Sequence, residues 1–381
     1  MGDLGEAYEL RARLRPLAVT ARVRDCGRRP ITDAPELVVR DYGENETRRA
    51  WWTGLLRCGR QHACPVCAAR VSAARAEELD RMMKGAEGRW QMVTLTLKHH
   101  RGESLKALLD ALLKAWRLVR RQRLMRDIFD ARVTATVRAV EATGGWEEDG
   151  NGWHPHIHLL LRTSEWSARD RAVLEWLWAK ALGERAGWAG VAVHWSTPIE
   201  SWQANRARYL AKLGAEVAGI GKRTWGTHYG RLGPWQIAEA ALYRPERDDE
   251  PPMTDEERAR CDFFRSKWEE YQHALRGRRL LELDERAKAF ATAAEVTLEV
   301  KTEWLITLHR EEFQEIARLE RLEPRALWML VEAALTAGPD PPGIVRGIID
   351  DWLVGDAWKP LARAGPRPVR AETPAAGVQA A

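Results

Sequence analysis

Hydrophobic and polar positions alternate with two different periods along the middle of the chain. Residues 90–97 (WQMVTLTL) place Val93, Leu95 and Leu97 on one side and two threonines on the other, which predicts a β-strand. Residues 103–126 carry leucines at helical spacing with Arg and Lys between them, which predicts an amphipathic helix. The same two patterns predict strands over 132–142, 153–161 and 191–196, and helices over 168–186 and 203–218.

The predicted order of elements is β-α-β-β-α-β-α, and a loop over 144–152 joins the second strand to the third. A nucleotide-binding α/β fold with repeated crossovers does not have this order. It is typical of an α+β domain in which helices flank a central antiparallel sheet, as in split βαβ domains.

The pattern also changes along the chain and divides it into consecutive regions. The segment ERDDEPPMT is acidic and holds two prolines, which indicates a linker. The end of the chain is rich in Pro and Ala, which indicates disorder. We therefore predict an N-terminal region with a cysteine cluster at 1–75, an α+β domain at 76–245, a linker at 246–254, a helical C-terminal domain at 255–358 and a disordered tail at 359–381.

Charge is distributed unevenly between these regions. Residues 1–245 hold 40 Lys and Arg against 28 Asp and Glu, whereas residues 246–381 hold 20 against 27. A net positive charge in the first 245 residues suits a protein that binds the phosphate groups of nucleic acid. The acidic N-terminus lacks the apolar region of a secretory signal, and no stretch reaches the roughly 18–20 apolar residues of a membrane span. These features, with only five cysteines, predict a cytoplasmic protein with no membrane partner.

Two histidines in the predicted strand 153–161 form a candidate metal site. His156 and His158 are two positions apart, so a strand points both to one face, with Cα atoms about 7 Å apart. Glu141 lies near the end of the preceding strand and reaches them if the two strands pair as a hairpin. Two imidazoles and a carboxylate suit Mg²⁺ or Mn²⁺ and leave positions open for substrate. An H-x-H pair is also common at structural or exposed positions, and His154 either assists the site or is merely solvated.

Tyr209 and Lys212 share one face of the predicted helix 203–218. A tyrosine can attack phosphorus and hold DNA as a phosphotyrosine ester. Its ordinary pKa is about 10, and a nearby lysine lowers the cost of ionisation and neutralises the phosphate. The pattern Y-x-x-K is very common, so Tyr229 and Tyr243 are competing candidates for the nucleophile.

The third candidate site is a set of cysteines. Cys64 and Cys67 form a C-P-x-C knuckle, whose turn aims two thiolates at one ion, and Cys58 is the third ligand. The fourth ligand is Cys26 or His62. This set predicts a structural Zn²⁺ site, and the alternative is a group of reduced thiols in a core.

Three motifs, in this order, resemble those of plasmid rolling-circle replication initiators of the His-hydrophobe-His (HUH) endonuclease superfamily: QMVTLTL, WHPHIHLLL and YLAK. The segments RCGRQHACPVCAARV and GRLGPWQIAE resemble the initiators of actinobacterial and related plasmids. The resemblance covers roughly residues 20–242, and it implies an HUH domain with a split βαβ, RRM-like sheet. By this resemblance, His156 and His158 bind the metal with Glu141 as third ligand, Tyr209 is the nucleophile and Lys212 supports it.

The resemblance also implies an activity and partners. Such an enzyme nicks one strand at the double-strand origin by metal-dependent transesterification, leaves a 5′-phosphotyrosine and a 3′-OH primer, and later rejoins the displaced strand. The implied partners are origin DNA, double-stranded and with an exposed single-stranded nick site, and a host helicase and DNA polymerase; a homodimer is left open. No P-loop pattern occurs, so unwinding would come from the host.

One departure from the family pattern concerns termination. Some members carry a glutamate four residues before the tyrosine, whereas this chain has Asn205, which cannot act as a base. Initiation chemistry is unaffected, and the residue that serves termination stays open.

Two other classes of protein are weighed against this interpretation. A transposase or conjugative relaxase uses the same chemistry, but a relaxase usually places its tyrosine before its histidines, the reverse of the order here. A non-catalytic, zinc-dependent DNA-binding regulator would explain the cysteines and the charge, but not HPHIH on a strand.

Overall fold

The structure is a computed structural model. It describes residues 4–41, 48–85, 88–146, 150–185, 193–196, 231–243, 252–293, 302–320, 323–337 and 340–354. The chain forms two compact units, and each unit consists of two separate segments. Unit 1 comprises Met1–Arg29 and Leu55–Glu299, and unit 2 comprises Pro30–Gly54 and Val300–Ala381. Each unit is discontinuous in sequence, whereas the regions predicted above are consecutive.

Both units combine helices with strands. The strands are β1 (Glu36–Asp41), β2 (Arg49–Thr53), β3 (Trp90–Leu95), β4 (Val133–Gly145), β5 (Gly152–Thr163), β6 (Val193–Trp195), β7 (Leu281–Leu283) and β8 (Thr302–Thr307). The helices are α1 (Leu4–Leu14), α2 (Ala21–Arg24), α3 (Pro65–Gly85), α4 (Leu105–Arg121), α5 (Arg123–Arg132), α6 (Ala168–Leu182), α7 (Pro234–Ala240), α8 (Asp255–Leu275), α9 (Glu285–Ala293), α10 (Arg310–Leu319), α11 (Ala326–Thr336) and α12 (Pro341–Val354). Within the described ranges, no helix has the length and apolar character needed to cross a membrane.

Unit 1 is built on a five-stranded sheet in the order β6-β3-β5-β4-β7. Every neighbouring pair of strands in it is antiparallel. The predicted α+β class with a central antiparallel sheet is confirmed. The predicted strand 191–196 corresponds to β6, and the predicted helix 203–218 lies outside the described residues.

Local sequence explains where the helix against this sheet begins and ends. Ser104 caps α4 by accepting a hydrogen bond from the backbone N–H of Ala107 at 3.3 Å. The single helix predicted over 103–126 divides at Gln122, whose ψ of 134° is extended. The division allows Met125 and Phe129 of α5 to turn into the core, where both are buried.

The two faces of the sheet pack against different helices. On one face, the alternate residues Ile157, Leu159 and Leu161 of β5 join a core with α4, α6 and α8. On the other face, Leu160 belongs to a second core with α3 and α9. Because side chains alternate along a strand, the even-numbered histidines of β5 lie on the same face as Leu160.

Unit 2 contains a three-stranded antiparallel sheet in the order β2-β1-β8, together with α10, α11 and α12. Trp52 of β2 packs edge-on against Phe313 of α10, with ring centroids 5.5 Å apart. Its indole N–H donates to the carbonyl of Leu327 at 3.2 Å. The helical C-terminal region predicted over 255–358 is mainly helical, but it also supplies β7 and β8. Each of these strands completes a sheet whose other strands come from earlier in the chain.

Candidate metal centres

The first candidate centre lies on the central strand of the five-stranded sheet. The predicted hairpin forms between β4 and β5, and its register pairs Glu141 directly with His156. His158 follows two residues later on the same face of β5. Glu141, His156 and His158 are therefore brought to one place by the pairing of two adjacent strands.

Their side chains converge on a single point. Oε2 of Glu141 lies 2.8 Å from Nε2 of His156 and 3.3 Å from Nε2 of His158. The three potential ligand atoms lie within 4.8 Å of one another. Both imidazoles are buried, and the Glu141 side chain is 12% exposed. This donor set of two nitrogens and one oxygen can hold a metal ion.

The electrostatics of this group favour a cation. Burial raises the pKa of Glu141, but the charge of His156 and the hydrogen bonds from both imidazoles outweigh it and hold that pKa well below its usual value. The carboxylate is therefore ionised at neutral pH. An anionic oxygen between two imidazole nitrogens suits a divalent ion such as Mg²⁺ or Mn²⁺.

Each imidazole also contacts a polar group through its other ring nitrogen, Nδ1. Oγ1 of Thr94 lies 2.9 Å from Nδ1 of His158, while Nδ1 of His156 is 3.4 Å from the carbonyl of His154. His154 in turn contacts His99, with Nδ1 and Nε2 2.8 Å apart. Burial lowers the pKa of both His99 and His154, so both rings are neutral at pH 7.

The second candidate centre consists of four buried cysteines. Sγ of Cys67 lies 3.5 Å from Sγ of both Cys26 and Cys58, and Sγ of Cys64 lies 3.8 Å from that of Cys26. Tetrahedral zinc with Zn–S bonds of about 2.3 Å requires sulfur atoms about 3.8 Å apart. The four sulfur atoms fit such a site, and Cys26 completes the group that the sequence left open between Cys26 and His62.

Local structure places these thiols. Cys64 precedes Pro65, the first residue of α3, and Cys67 lies in the first turn of that helix. Cys26 is held beside Cys58 because the backbone N–H of Cys58 donates to its sulfur at 3.3 Å. Hydrogen bonds from the other three cysteines lower the pKa of Cys26, which favours a thiolate.

Known proteins resemble the part of the chain that carries most residues of these centres. Residues 55–181 match the profile of the family described as Replication protein. This match confirms the predicted resemblance to plasmid replication proteins, and the HUH superfamily and the zinc cluster stay predictions. The matched segment contains three of the four cysteines and all of Glu141, His156 and His158, whereas Cys26 and Tyr209 lie outside it.

Individual relatives agree with the family match. "Protein rep" of Streptomyces lividans is 28% identical over 288 residues, which cover 60% of this chain and 62% of that protein. "Neomycin resistance protein" of Streptomyces cyanogenus is 30% identical over 136 residues, which cover 28% of this chain and 30% of that protein. "Protein rep" of Bacillus sp is 29% identical over 143 residues, which cover 34% of this chain and 45% of that protein. The chain thus spans less than two thirds of each relative, and no solved structure matches it.

The predicted nucleophile lies outside the described residues. Tyr209, Lys212, Asn205 and Tyr229 all fall within 197–230. Tyr243 is described: its hydroxyl donates to Oδ1 of Asp262 at 2.7 Å, and this hydrogen bond raises its pKa.

Sequence reasoning missed two polar residues near the histidines. Thr94 and His99 contact His158 and His154, respectively. The sequence signal for Thr94 is weak: it lies on the polar face of a strand whose other face is apolar. Many exposed threonines occupy such positions without contacting a functional residue. His99 lies in the segment after β3, where no periodicity indicates a partner.

Proposed function

We propose that this protein initiates rolling-circle replication of a plasmid by nicking one strand at the double-strand origin. The observation that supports it most strongly is the convergence of Glu141, His156 and His158 within a segment that matches the replication protein family. Relatives named "Protein rep" support the same role. The proposed partners are origin DNA with an exposed single-stranded nick site, a host helicase and a host polymerase in the cytoplasm.

The proposed metal is held by Nε2 of His156, Nε2 of His158 and Oε2 of Glu141. Mg²⁺ or Mn²⁺ bound there would polarise the scissile phosphate and offset negative charge in the transition state. Burial of the three side chains limits competition from water and strengthens their attraction for a cation.

The proposed reaction is a transesterification. The phenolic oxygen of Tyr209 forms a bond to phosphorus while the bond from phosphorus to the 3′ oxygen breaks. The phenol proton is released, and the 3′ oxygen takes up a proton to become the primer hydroxyl. Lys212 neutralises the phosphate. The ester preserves the bond energy, so a second transfer rejoins the displaced strand without ATP.

We also propose that Cys26, Cys58, Cys64 and Cys67 hold a structural Zn²⁺. Four thiolates complete the tetrahedral coordination of a zinc ion and leave no position for substrate, which suits a structural role. The support is the spacing of the sulfur atoms, and Zn²⁺ here would join the segment before α3 to the residues after α2.

A covalent-adduct assay tests the nicking function. Labelled single-stranded oligonucleotides from the plasmid that carries the gene are incubated with Mn²⁺ and the full-length protein, then separated on a denaturing protein gel. We expect a metal-dependent protein–DNA band that disappears in Tyr209→Phe and persists in the matched variant Tyr243→Phe.

Other outcomes contradict specific parts of the proposal. A band that persists in Tyr209→Phe and disappears in Tyr243→Phe would move the nucleophile to Tyr243. No band with any plasmid-derived oligonucleotide would favour a non-catalytic DNA-binding regulator. Cleavage only of transposon ends or of a conjugative transfer origin would favour a transposase or a relaxase.

A further inference from the structure

We propose that Thr94 positions His158 for metal binding, because its hydroxyl accepts a hydrogen bond from Nδ1–H of the imidazole when Nε2 gives up its hydrogen bond to Glu141 and binds the metal. This inference rests on the metal site proposed above. Thr94 of β3 pairs with His158 of β5 in the antiparallel register, so both side chains emerge on the same face of the sheet. Oγ1 of Thr94 lies 2.9 Å from Nδ1 of His158, which is a hydrogen-bond distance.

The direction of this hydrogen bond follows from the chemistry of the ligand. A metal ion takes the lone pair of an imidazole nitrogen, and the other ring nitrogen then carries the proton. Both histidines direct Nε2 at Glu141, so Nε2 is the metal-binding nitrogen. With Nε2 bound to the metal, the Nδ1–H of His158 donates to Oγ1 of Thr94.

Glu141 makes this contact necessary. Its Oε2 lies 3.3 Å from Nε2 of His158 and accepts a hydrogen bond from a proton on that nitrogen. Without an acceptor at Nδ1, the neutral imidazole would therefore favour the tautomer with its proton on Nε2. A protonated Nε2 has no lone pair for the metal. The Thr94 hydroxyl supplies the competing acceptor on the far side of the ring.

Thr94 is well placed to hold the ring still. β3 pairs with β5 on one side and with β6 on the other, so hydrogen-bond ladders fix the backbone of Thr94 on both edges. His158 is 6% exposed, which leaves little room for a water molecule to replace the hydroxyl. Nδ1 of His156, by comparison, lies 3.4 Å from the carbonyl of His154 on its own strand.

The test measures the dissociation constant for Mn²⁺ in the full-length protein that retains its zinc. Electron paramagnetic resonance detects free Mn²⁺, and Mn²⁺ does not compete for thiolate sites that zinc occupies. Thr94→Val replaces the hydroxyl with a methyl group of similar size and should raise the dissociation constant about 10- to 100-fold. Thr94→Ser retains the hydroxyl and should restore affinity to within about threefold of the wild type.

Thr163→Val is the matched control. Thr163 is a buried threonine of β5, the strand that carries His158, and its hydroxyl lies 2.9 Å from the carbonyl of Arg132. It lies five residues from His158, about 17 Å along the strand at roughly 3.3 Å per residue. We expect it to lose stability as Thr94→Val does but to keep the wild-type affinity for Mn²⁺.

A second measurement reports the tautomer directly. Imidazole ¹⁵N chemical shifts of the protein loaded with diamagnetic Mg²⁺ should place the His158 proton on Nδ1 and show its hydrogen bond in the wild type, and that hydrogen bond should be absent in Thr94→Val. Affinity of Thr94→Val within about twofold of the wild type would overturn the role of Thr94. An equal loss in Thr163→Val would also overturn it, because a general loosening of the sheet would then explain both. Absence of Mn²⁺ uptake by the wild type would instead overturn the metal site itself.

Discussion

At the scale of single residues, the candidate centres differ in how far apart their members lie along the chain. Glu141, His156 and His158 come from one hairpin, and the register of two adjacent strands is enough to assemble them. The cysteine centre needs Cys26, which lies 41 residues before Cys67. A local motif therefore explains the first centre, whereas the cysteine centre depends on a fold that brings Cys26 close to the start of α3.

Cys26 gives the residue-scale prediction. We expect the wild type to hold one zinc per chain, and we expect Cys26→Ser to lose it and to be destabilised by about 3 kcal/mol or more, because loss of a metal ligand is among the costliest single changes. Zinc content by atomic emission and urea unfolding provide the measurements. Cys261→Ser and His62→Ala are the controls that should retain zinc; retention in Cys26→Ser with loss in His62→Ala would make His62 the fourth ligand.

At the scale of elements, one carboxylate anchors the segment between β3 and α4 that carries His99. Oε2 of Glu103 accepts the backbone N–H of His100 at 2.9 Å, and Oε1 accepts a hydrogen bond from Arg185 just after α6. The backbone N–H of Lys98 also donates to the carbonyl of Arg185, at 2.9 Å. These bonds hold the segment in place although it has no regular secondary structure.

The protonation of Glu103 gives a pH-dependent prediction. Burial raises its pKa, but the hydrogen bonds from Arg185 and from His100 N–H outweigh this and lower it below the usual 4.5. A folded-state pKa below the unfolded value means that the carboxylate stabilises the fold above about pH 4.5 and loses this effect as the pH falls. Glu103→Gln should therefore lower the free energy of unfolding by about 1 kcal/mol at pH 7, and the difference should shrink below pH 4.5.

Urea unfolding at several pH values between 7 and 3 checks this expectation. Glu184→Gln, an exposed carboxylate in the same region, should match the wild type throughout. A difference between wild type and Glu103→Gln that stays constant with pH would contradict the role assigned to the charge.

At the scale of the whole molecule, the chain leaves unit 1 after Arg29 and re-enters it at Leu55. The backbone N–H of Leu56 donates to the carbonyl of Arg29 at 2.8 Å, so the two ends of unit 1 are adjacent where the chain leaves. Residues 30–54 are thus an insertion in unit 1, and its two ends are close enough for a very short linker to span them.

This arrangement predicts that unit 1 folds by itself. A shortened chain of residues 1–29, four Gly and Ser residues and residues 55–299 should remain monodisperse, unfold cooperatively on heating and hold one zinc. A chain that ends at residue 245 lacks α8 and β7, whose buried Trp268, Tyr271 and Leu281 complete the cores on the two faces of the sheet, and it should aggregate. Size-exclusion chromatography and thermal unfolding distinguish the two; a soluble, cooperative 1–245 chain would instead support the consecutive domain boundaries.

The sequence by itself determined the features that depend on near neighbours. A period of two along 153–161 places His156 and His158 on one face, and C-P-x-C aims Cys64 and Cys67 at one point, because backbone geometry over a few residues sets both. Leucine spacing likewise predicted α4, although not its end at Gln122, where packing of α5 against the core overrides helix propensity.

Only the tertiary structure decided which distant residues meet. The position of Cys26 beside the other three thiols depends on contacts between remote segments. The position of Thr94 behind His158 and the supply of β7 and β8 by the last third of the chain depend on such contacts as well. Such contacts are selected by the burial of whole sheet faces and by strand register, and neither is encoded in a local pattern of residues.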